Sequence, residues 1–381
     1  MFNQQRFSNV SAQDLFGYIL LAGIVVLALD LVRRLVMGTL APGTLWALTW
    51  NGFVDSLYIG LAAIGLSMTY SILQFANFSH GDLVTAGAFG GWTVAYIIGG
   101  IGAAGFGSRL LLDADGGAQA GALGMDIVSS PLALLVGLVA AALITIGIAL
   151  AIDRLVYKRM RRAGGIPLLI ASIGVALALR YLIALVYTVD SRGIVASAPF
   201  VGPLEVHELA VVGSLLSAVG VEWNIGPVNL HEATLVISAL ALIIGVHLLL
   251  QYTKLGKSMR AMSDNRDLAL VTGIETERVI TATWVIGAGL AGVAGYLIVL
   301  DQSQISINFG WFLLLLIFAA VILGGIGSIY GALAGALIIG LTINVSLIWI
   351  PSDLNEVAAF MLMIMVLIFK PDGLLGGVET A

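Results

Sequence analysis

The sequence predicts an all-α, polytopic integral membrane protein with about eight to ten transmembrane or re-entrant helices. Three observations carry that prediction. Of the 381 residues, 60% are hydrophobic and 10% are charged, where a soluble globular chain carries roughly 25% charged residues. Mean hydropathy is +1.05. Apolar runs close to the roughly 20 residues that cross a bilayer recur at 14–37, 50–73, 81–101, 130–152, 166–189, 231–252, 279–300, 312–329, 331–350 and 355–370. Glycine-rich ends leave some of these open to re-entrant rather than spanning paths.

The same composition excludes several classes. A net charge of −5 argues against a nucleic-acid partner. With no cysteine there are no disulfides or thiolate metal sites, and no metal centre is expected. The 47 glycines suit closely packed helices. No short apolar segment with a cleavage site marks a removable signal peptide. The chain reads as an N-terminal segment 1–13, a single transmembrane domain 14–376 and a tail 377–381.

Taken in order, the first run ends at Arg33 and Arg34, which strict alternation places outside. Either that run lies partly at the interface, or one of the next two segments does not cross. The second run leads into Leu73 to Trp92, where Gln74, Asn77, Ser79, His80 and Asp82 interrupt an apolar chain. Such a cluster at membrane depth is costly and is expected to line a cavity or a pore. The loop 102–130, rich in Gly, Ala and Asp, reads as an extracytoplasmic excursion. Orientation comes from two short basic loops. Arg154, Lys158, Arg159, Arg161 and Arg162 fill the first; Lys254, Lys257, Arg260, Arg266 and Arg278 lie in the second, 253–278. Both are expected in the cytoplasm. The charged residues of the intervening segment 190–230 are mostly acidic; with Pro199, Pro203 and Pro227 it suits the outside. Pro351 to Glu356 then falls outside and Lys370 inside.

Four motifs invite chemistry. In NFSHGD, Asn77 to Asp82, the residue types of a hydrolytic triad are present, but near-neighbours on one short segment point apart, and a triad needs its histidine between nucleophile and acid. No catalytic residue is expected. Capping of a helix from Gly81 by Asn77 or Ser79 and lining of a polar path by Asn77, Ser79 and His80 are compatible readings. Gln302, in DQSQISIN, is the late counterpart of that cluster, as paired polar breaks in two halves point to a midplane site. GAGLAG, Gly287 to Gly292, has dinucleotide-motif spacing without a strand or an acid at the right distance beyond it, so helix packing is the better reading. LGGIGSIYG, Leu323 to Gly331, lacks a lysine for phosphate and reads as a tight bend between two membrane segments. In the second basic loop, Leu255, Met259, Met262, Leu268 and Val271 mark an amphipathic helix that Gly273 ends. It either lies on headgroups or docks in a partner's groove; composition leaves both open. Asp55, Asp82 and Arg180 offer a rival reading, an ion or proton relay in a secondary transporter or channel.

With those residues in hand, the chain resembles the permease subunits of branched-chain amino acid ABC importers, a group that includes urea and amide permeases. The resemblance spans roughly Asn51 to Gly376. It rests on NGFVDSLYIGLAAIGLSMTYSI leading into NFSHGD, on IDRLVYKRMRR, on LGKSMRAMSDNRDLALVTGIETERVI, on VILGGIGSIYGALAGALIIG and on FKPDGLLG. It implies a multi-pass cell-membrane subunit that works with a second related permease, two cytoplasmic ATPases and an extracytoplasmic solute-binding protein. ATP would be bound by the partners, and no cofactor by this chain. The amphipathic loop becomes the coupling helix, with Gly256, Arg260, Ala261, Asp264, Ala269 and Gly273 against an ATPase. Two departures stand out. Leu316 occupies a position where the family commonly has Lys, and the stretches before Asp14, at 102–130 and at 190–232 are long. The solute, moved inward by alternating access, is therefore a branched-chain or other small amino acid, or urea or an amide.

Overall fold

A computed structural model describes residues 12–99, 125–189, 191–193, 200–201, 204–205, 224–225 and 228–375. The segment before residue 12, most of the two long loops and the tail lie outside the described residues. Twelve helices are named here: α1 Ala12–Val36, α2 Pro42–Leu73, α3 Ser79–Gly99, α4 Pro131–Ile152, α5 Gly165–Tyr187, α6 Leu230–Tyr252, α7 Lys254–Asp264, α8 Arg266–Val271, α9 Thr276–Gln302, α10 Phe309–Gly324, α11 Ile329–Val345 and α12 Asn355–Phe369. A π-helical turn, Asp153–Tyr157, carries α4 on into Lys158–Met160. Strand pairing among the described residues amounts to two-residue ladders, such as Arg192–Gly193 against Gln304–Ile305. The all-α expectation holds.

Seven helices among the described residues are long and apolar enough to cross a membrane. The most apolar stretches of α2 and α9 are 83% and 89% buried, against 22% in α4, α5 and α6, so α2 and α9 form the centre. The outer helices turn Leu143, Leu185, Ile237 and Met361 outward. That arrangement suits a chain whose surrounding solvent is hydrocarbon.

Small residues set how the central helices meet. A Cβ on Gly87 of α3 would lie 2.2 Å from the Gly292 Cα of α9, so the two backbones touch. GAGLAG is thus a packing motif, as its spacing predicts. One turn along, Trp92 stacks on Tyr296 at 4.6 Å, and the Tyr296 hydroxyl donates to Leu134 O of α4 (2.9 Å). The α10–α11 connection is the tight bend expected from LGGIGSIYG. Gly325 and Gly327 take positive φ values of 109° and 88°, and Ser328 caps α11 by accepting from Gly331 N (3.0 Å).

The chain alternates between two ends. At one end, Trp349 donates to Asp30 (3.0 Å) and Trp50 to Glu232 (2.6 Å). The end of α1 therefore lies beside the α11–α12 connection, and the first turns of α2 lie beside the start of α6. At the other end, Arg161 bonds Glu277, and Leu374 N donates to Leu323 O (2.8 Å). Arg33 and Arg34 sit at the Trp349 end, opposite the basic loops. Each pairs with Asp30 at 2.6 Å, and that single carboxylate offsets one of the two charges that make strict alternation look doubtful.

Candidate functional site

Two connections at the Arg161 end hold the sequence-predicted residues. The first is the break between α2 and α3. α2 stops at Gln74, which adopts the left-handed conformation at φ 57° and donates its N–H to Tyr70 O (2.8 Å). Asn77 then caps α3: its Oδ1 accepts from Ser79 N (3.2 Å) and Ser79 Oγ (2.7 Å). Tyr157, from the π turn after α4, reaches the same carbonyl (3.3 Å) and the Ser79 hydroxyl (2.9 Å). Its ring lies flat against Trp284 of α9 at 5.3 Å. His80 is 1% exposed and bonds Ala62 O through Nε2 (2.9 Å). Asp82 receives Arg180 of α5 in a two-pronged ion pair (2.9 and 3.0 Å), and the guanidinium stands over Trp311 at 4.7 Å.

The polar members of NFSHGD thus answer to three elements: Asn77 and Ser79 to the π turn, His80 to α2 and Asp82 to α5. Ser79, His80 and Asp82 have separate partners, so nucleophile, base and acid are not aligned as a triad requires. Capping by Asn77 holds, but the helix begins at Ser79 rather than Gly81, so Ser79 lies inside it. Asn77, Ser79 and His80 are enclosed by protein, at 0%, 0% and 1% exposure, while Asn77 Nδ2 has no partner among the described residues. Gln302 is exposed and lies at the opposite end of α9 from these three. The structure brings Asn77, Ser79 and His80 together and leaves Gln302 apart.

Near Gln302 is a network that sequence reasoning misses. Tyr58 donates to Asp55 Oδ1 (2.7 Å) and Asn344 Nδ2 to Asp55 Oδ2 (2.6 Å), tying α2 to α11. By sequence position alone, Asp55 is a segment-end carboxylate facing water. Asp82 and Arg180 satisfy each other and Asp55 is held by Tyr58 and Asn344, so the three residues of the relay reading do not form a connected chain. Tyr157 also escapes notice in the sequence, hidden in the basic run DRLVYKRMRR.

The second connection is the loop after α6. Thr253 caps α7 by accepting from Gly256 N (3.0 Å). Gly256 packs where a Cβ would lie 2.3 Å from Leu250 O. Met259 and Met262 are buried at 3% and 2%. Arg260 Nη1 donates to Gln251 Oε1 (2.8 Å), Gln251 Nε2 donates to Tyr330 Oη (2.9 Å), and Tyr330 Oη lies 2.8 Å from His247 Nδ1. α7 is thereby joined to the start of α11.

One expectation needs correcting here. The pattern Leu255, Met259, Met262, Leu268, Val271 reads in sequence as a single amphipathic face. Asn265 instead ends α7 and caps α8, accepting from Leu268 N (2.9 Å), and this turn gives α8 a different orientation. In α8, Ala269 faces inward at 3% exposure, while Leu268, Leu270 and Val271 point outward at 61%, 55% and 86%. Asp264, at the end of α7, is exposed, and Ala261 is half-buried. Gly273, at φ 85°, closes α8: its N–H meets Leu270 O (3.1 Å) and that of Ile274 meets Ala269 O (3.0 Å). This double bond pattern is a Schellman cap, and Gly273 ends the helix as the sequence predicts.

Known proteins share this sequence over most of its length. The family described as "Branched-chain amino acid transport system / permease component" matches residues 48–368. The high-affinity branched-chain amino acid transport system permease protein LivH of Salmonella typhimurium is 29% identical over 331 residues, covering 87% of this chain and 95% of that protein. LivH of Escherichia coli K12 is 29% identical over 332 residues, with the same coverage of both chains. BraD of Pseudomonas aeruginosa, named as the same kind of permease, is 27% identical over 330 residues, covering 87% of this chain and 95% of that protein. No solved structure matches the chain.

Proposed function

The chain belongs to the branched-chain amino acid transport permease family, and on that premise we propose that it is the translocating subunit of an ATP-driven importer for small amino acids. It is a multi-pass membrane permease. ATP hydrolysis belongs to separate ATPase subunits, and the complex is completed by a second permease and an extracytoplasmic binding protein. The basic loops, with Arg154 to Arg162 and Lys254 to Arg278, face the cytoplasm, and the Trp349 end faces outward.

The observation that carries this reading is the outward face of α8. Leu268, Leu270 and Val271 are exposed on a short helix fixed at both ends by Asn265 and Gly273. An apolar face on a rigid, charged loop suits docking into a partner's groove. It suits headgroup binding less, because acids nearly balance bases in 253–278. Gly256, Arg260, Ala261 and Ala269 serve that docking from behind, by fixing α7 and α8 to the bundle. Asp264 borders the docking face. Movement received there reaches α11 through Arg260, Gln251 and Tyr330. Gln302 borders the outer entrance, and Asn77, Ser79 and His80 border the path in a state that opens the inner end.

Co-reconstitution tests the proposal. Uptake should require the ATPase subunits and ATP, and Leu268→Glu should abolish ATP-dependent uptake while the variant still inserts and purifies as wild type. Transport by the purified chain alone would overturn the reading in favour of an ion-coupled carrier. If Asn77→Ala and His80→Ala both leave uptake by the assembled complex unchanged, these residues do not border the path.

A further inference from the structure

A second feature of the Arg161 end has no part in that reading. α4 and α6 each pack on α9, and between them lies an open cleft of about 640 Å³ lined by Leu150, Leu249, Leu255, Ala282, Val285 and Ile286, with Arg154, Lys158 and Arg278 among its charged groups. The order of residues is the same on two helices. Along α4 and its π turn, Leu150 precedes Arg154 and Lys158 towards the helix end. Along α9, Arg278 stands at the helix start and Ala282, Val285 and Ile286 lie one to two turns deeper. The cleft is therefore cationic at its mouth and apolar towards the bilayer centre.

The charges at the mouth do not cancel internally. Asp153 is taken up by Arg161 (2.8 Å), and Glu277 by Lys158 (3.1 Å) and Arg161. Arg154 and Arg278 form no ion pair among the described residues, and both are exposed. Lys158 N bonds back to Asp153 O across the π turn, and Arg154 and Lys158, four residues apart, lie on one face of the helix.

We infer that this cleft is a site for an anionic phospholipid, its phosphate held by Arg154, Lys158 and Arg278 and an acyl chain laid along Leu150, Leu249, Ala282, Val285 and Ile286. Charge complementarity selects this occupant. A zwitterionic lipid would gain little from two unpaired guanidinium groups, whereas basic pockets between membrane helices recognise anionic headgroups. A volume of about 640 Å³ lies within the 300–1,000 Å³ usual for ligand clefts. The inference depends on membrane insertion and not on the solute or the ATPase.

Native mass spectrometry of the full-length protein in detergent, titrated with phosphatidylglycerol or phosphatidylcholine, tests it. Phosphatidylglycerol should be retained selectively. Arg154→Gln with Arg278→Gln should weaken its retention by about thirtyfold, given about 1 kcal/mol for each of two cations. Val285→Trp, which obstructs the apolar wall and keeps every cation, should weaken it too. Inorganic phosphate at millimolar concentration should not compete. Equal retention of both lipids, or a double variant that binds as wild type, would overturn the proposal. So would displacement by phosphate with Val285→Trp unaffected, which marks a simple anion site. Should the double variant fail to fold, photoactivatable phosphatidylglycerol on the wild-type protein decides: label concentrated at 282–286 supports the site, and label spread evenly over α4, α5 and α6 refutes it. Protection of Arg154 and Arg278 from phenylglyoxal by an added partner subunit, without selective lipid retention, would assign the cleft to protein instead.

Discussion

The two connections at the Arg161 end use polarity in opposite ways. Between α2 and α3, polar side chains are buried and nearly all satisfied from within: Ser79 by Asn77 and Tyr157, His80 by Ala62, Asp82 by Arg180. Between α6 and α9, the backbone is capped as carefully, yet Leu268 and Val271 are left uncovered at 61% and 86%. A buried polar group with its own partner is accounted for by the fold. An apolar side chain held out in water on a rigid helix is not, and it points to something beyond the chain. The conspicuous sequence motif thus marks architecture, and the plainer one is where the proposed function puts the contact.

Removing one member of the Asp82–Arg180 pair is the severest way to test the first half of that comparison. Asp82 is fully buried, and an uncompensated buried charge costs about 3–5 kcal/mol. Arg180→Met should therefore lower the thermal unfolding midpoint in detergent sharply, and Asp82→Asn combined with Arg180→Met should restore most of it. A double variant as unstable as the single one would show that the pair is not the reason for the loss. Ser79→Ala should cost less, about 1–2 kcal/mol for a buried hydroxyl's two bonds, read by the same melt. Gly273→Ala should cost about 1 kcal/mol, because a side chain at φ 85° is strained, with the change confined to hydrogen exchange at the end of α8. Leu268→Glu should have the smallest effect on stability, within about 0.5 kcal/mol for an exposed position, while its effect on ATP-dependent uptake is the largest. A Leu268→Glu protein that melts well below wild type would erase the contrast between the two connections.

Much of this is legible in the sequence because lipid imposes a simple rule. Helices must be apolar wherever they meet it, so the ten apolar runs correspond closely to α1–α6 and α9–α12. The Gly324–Ser328 bend and the Gly273 cap are equally legible, since left-handed backbone at a helix end asks for glycine. What escapes reading depends on contacts between distant segments. Tyr157 meets Ser79 because a π turn rotates it inward, and no periodicity announces a π turn. Asp55 is held by Asn344, 289 residues away in the chain. Asn265 looks like one polar residue in a polar loop, whereas as a cap it turns Leu268 and Val271 away from the face of Met259. Of the residues expected to line a path, Asn77, Ser79 and His80 are close in sequence and in space, but Gln302 is the last residue of α9 and lies apart from them.

The three bonds that begin at Arg260 also fix where protons reside. A guanidinium has hydrogens to give and no lone pair to receive one, so it dictates which way the Gln251 amide faces: oxygen towards Arg260, nitrogen towards Tyr330. The tyrosine hydroxyl, accepting from that nitrogen, has its single proton left for His247 Nδ1, which lies 2.8 Å away. If the hydroxyl gives that proton to Nδ1, neutral His247 carries its own hydrogen on Nε2; if Nδ1–H donates instead, the hydroxyl accepts from both neighbours. Four side chains on three helices are thus joined from the loop inwards, and flipping the Gln251 amide would set two donors face to face. Neutron diffraction or ¹⁵N chemical shifts of the His247 ring would read that tautomer directly, and Arg260→Leu would release the constraint on it.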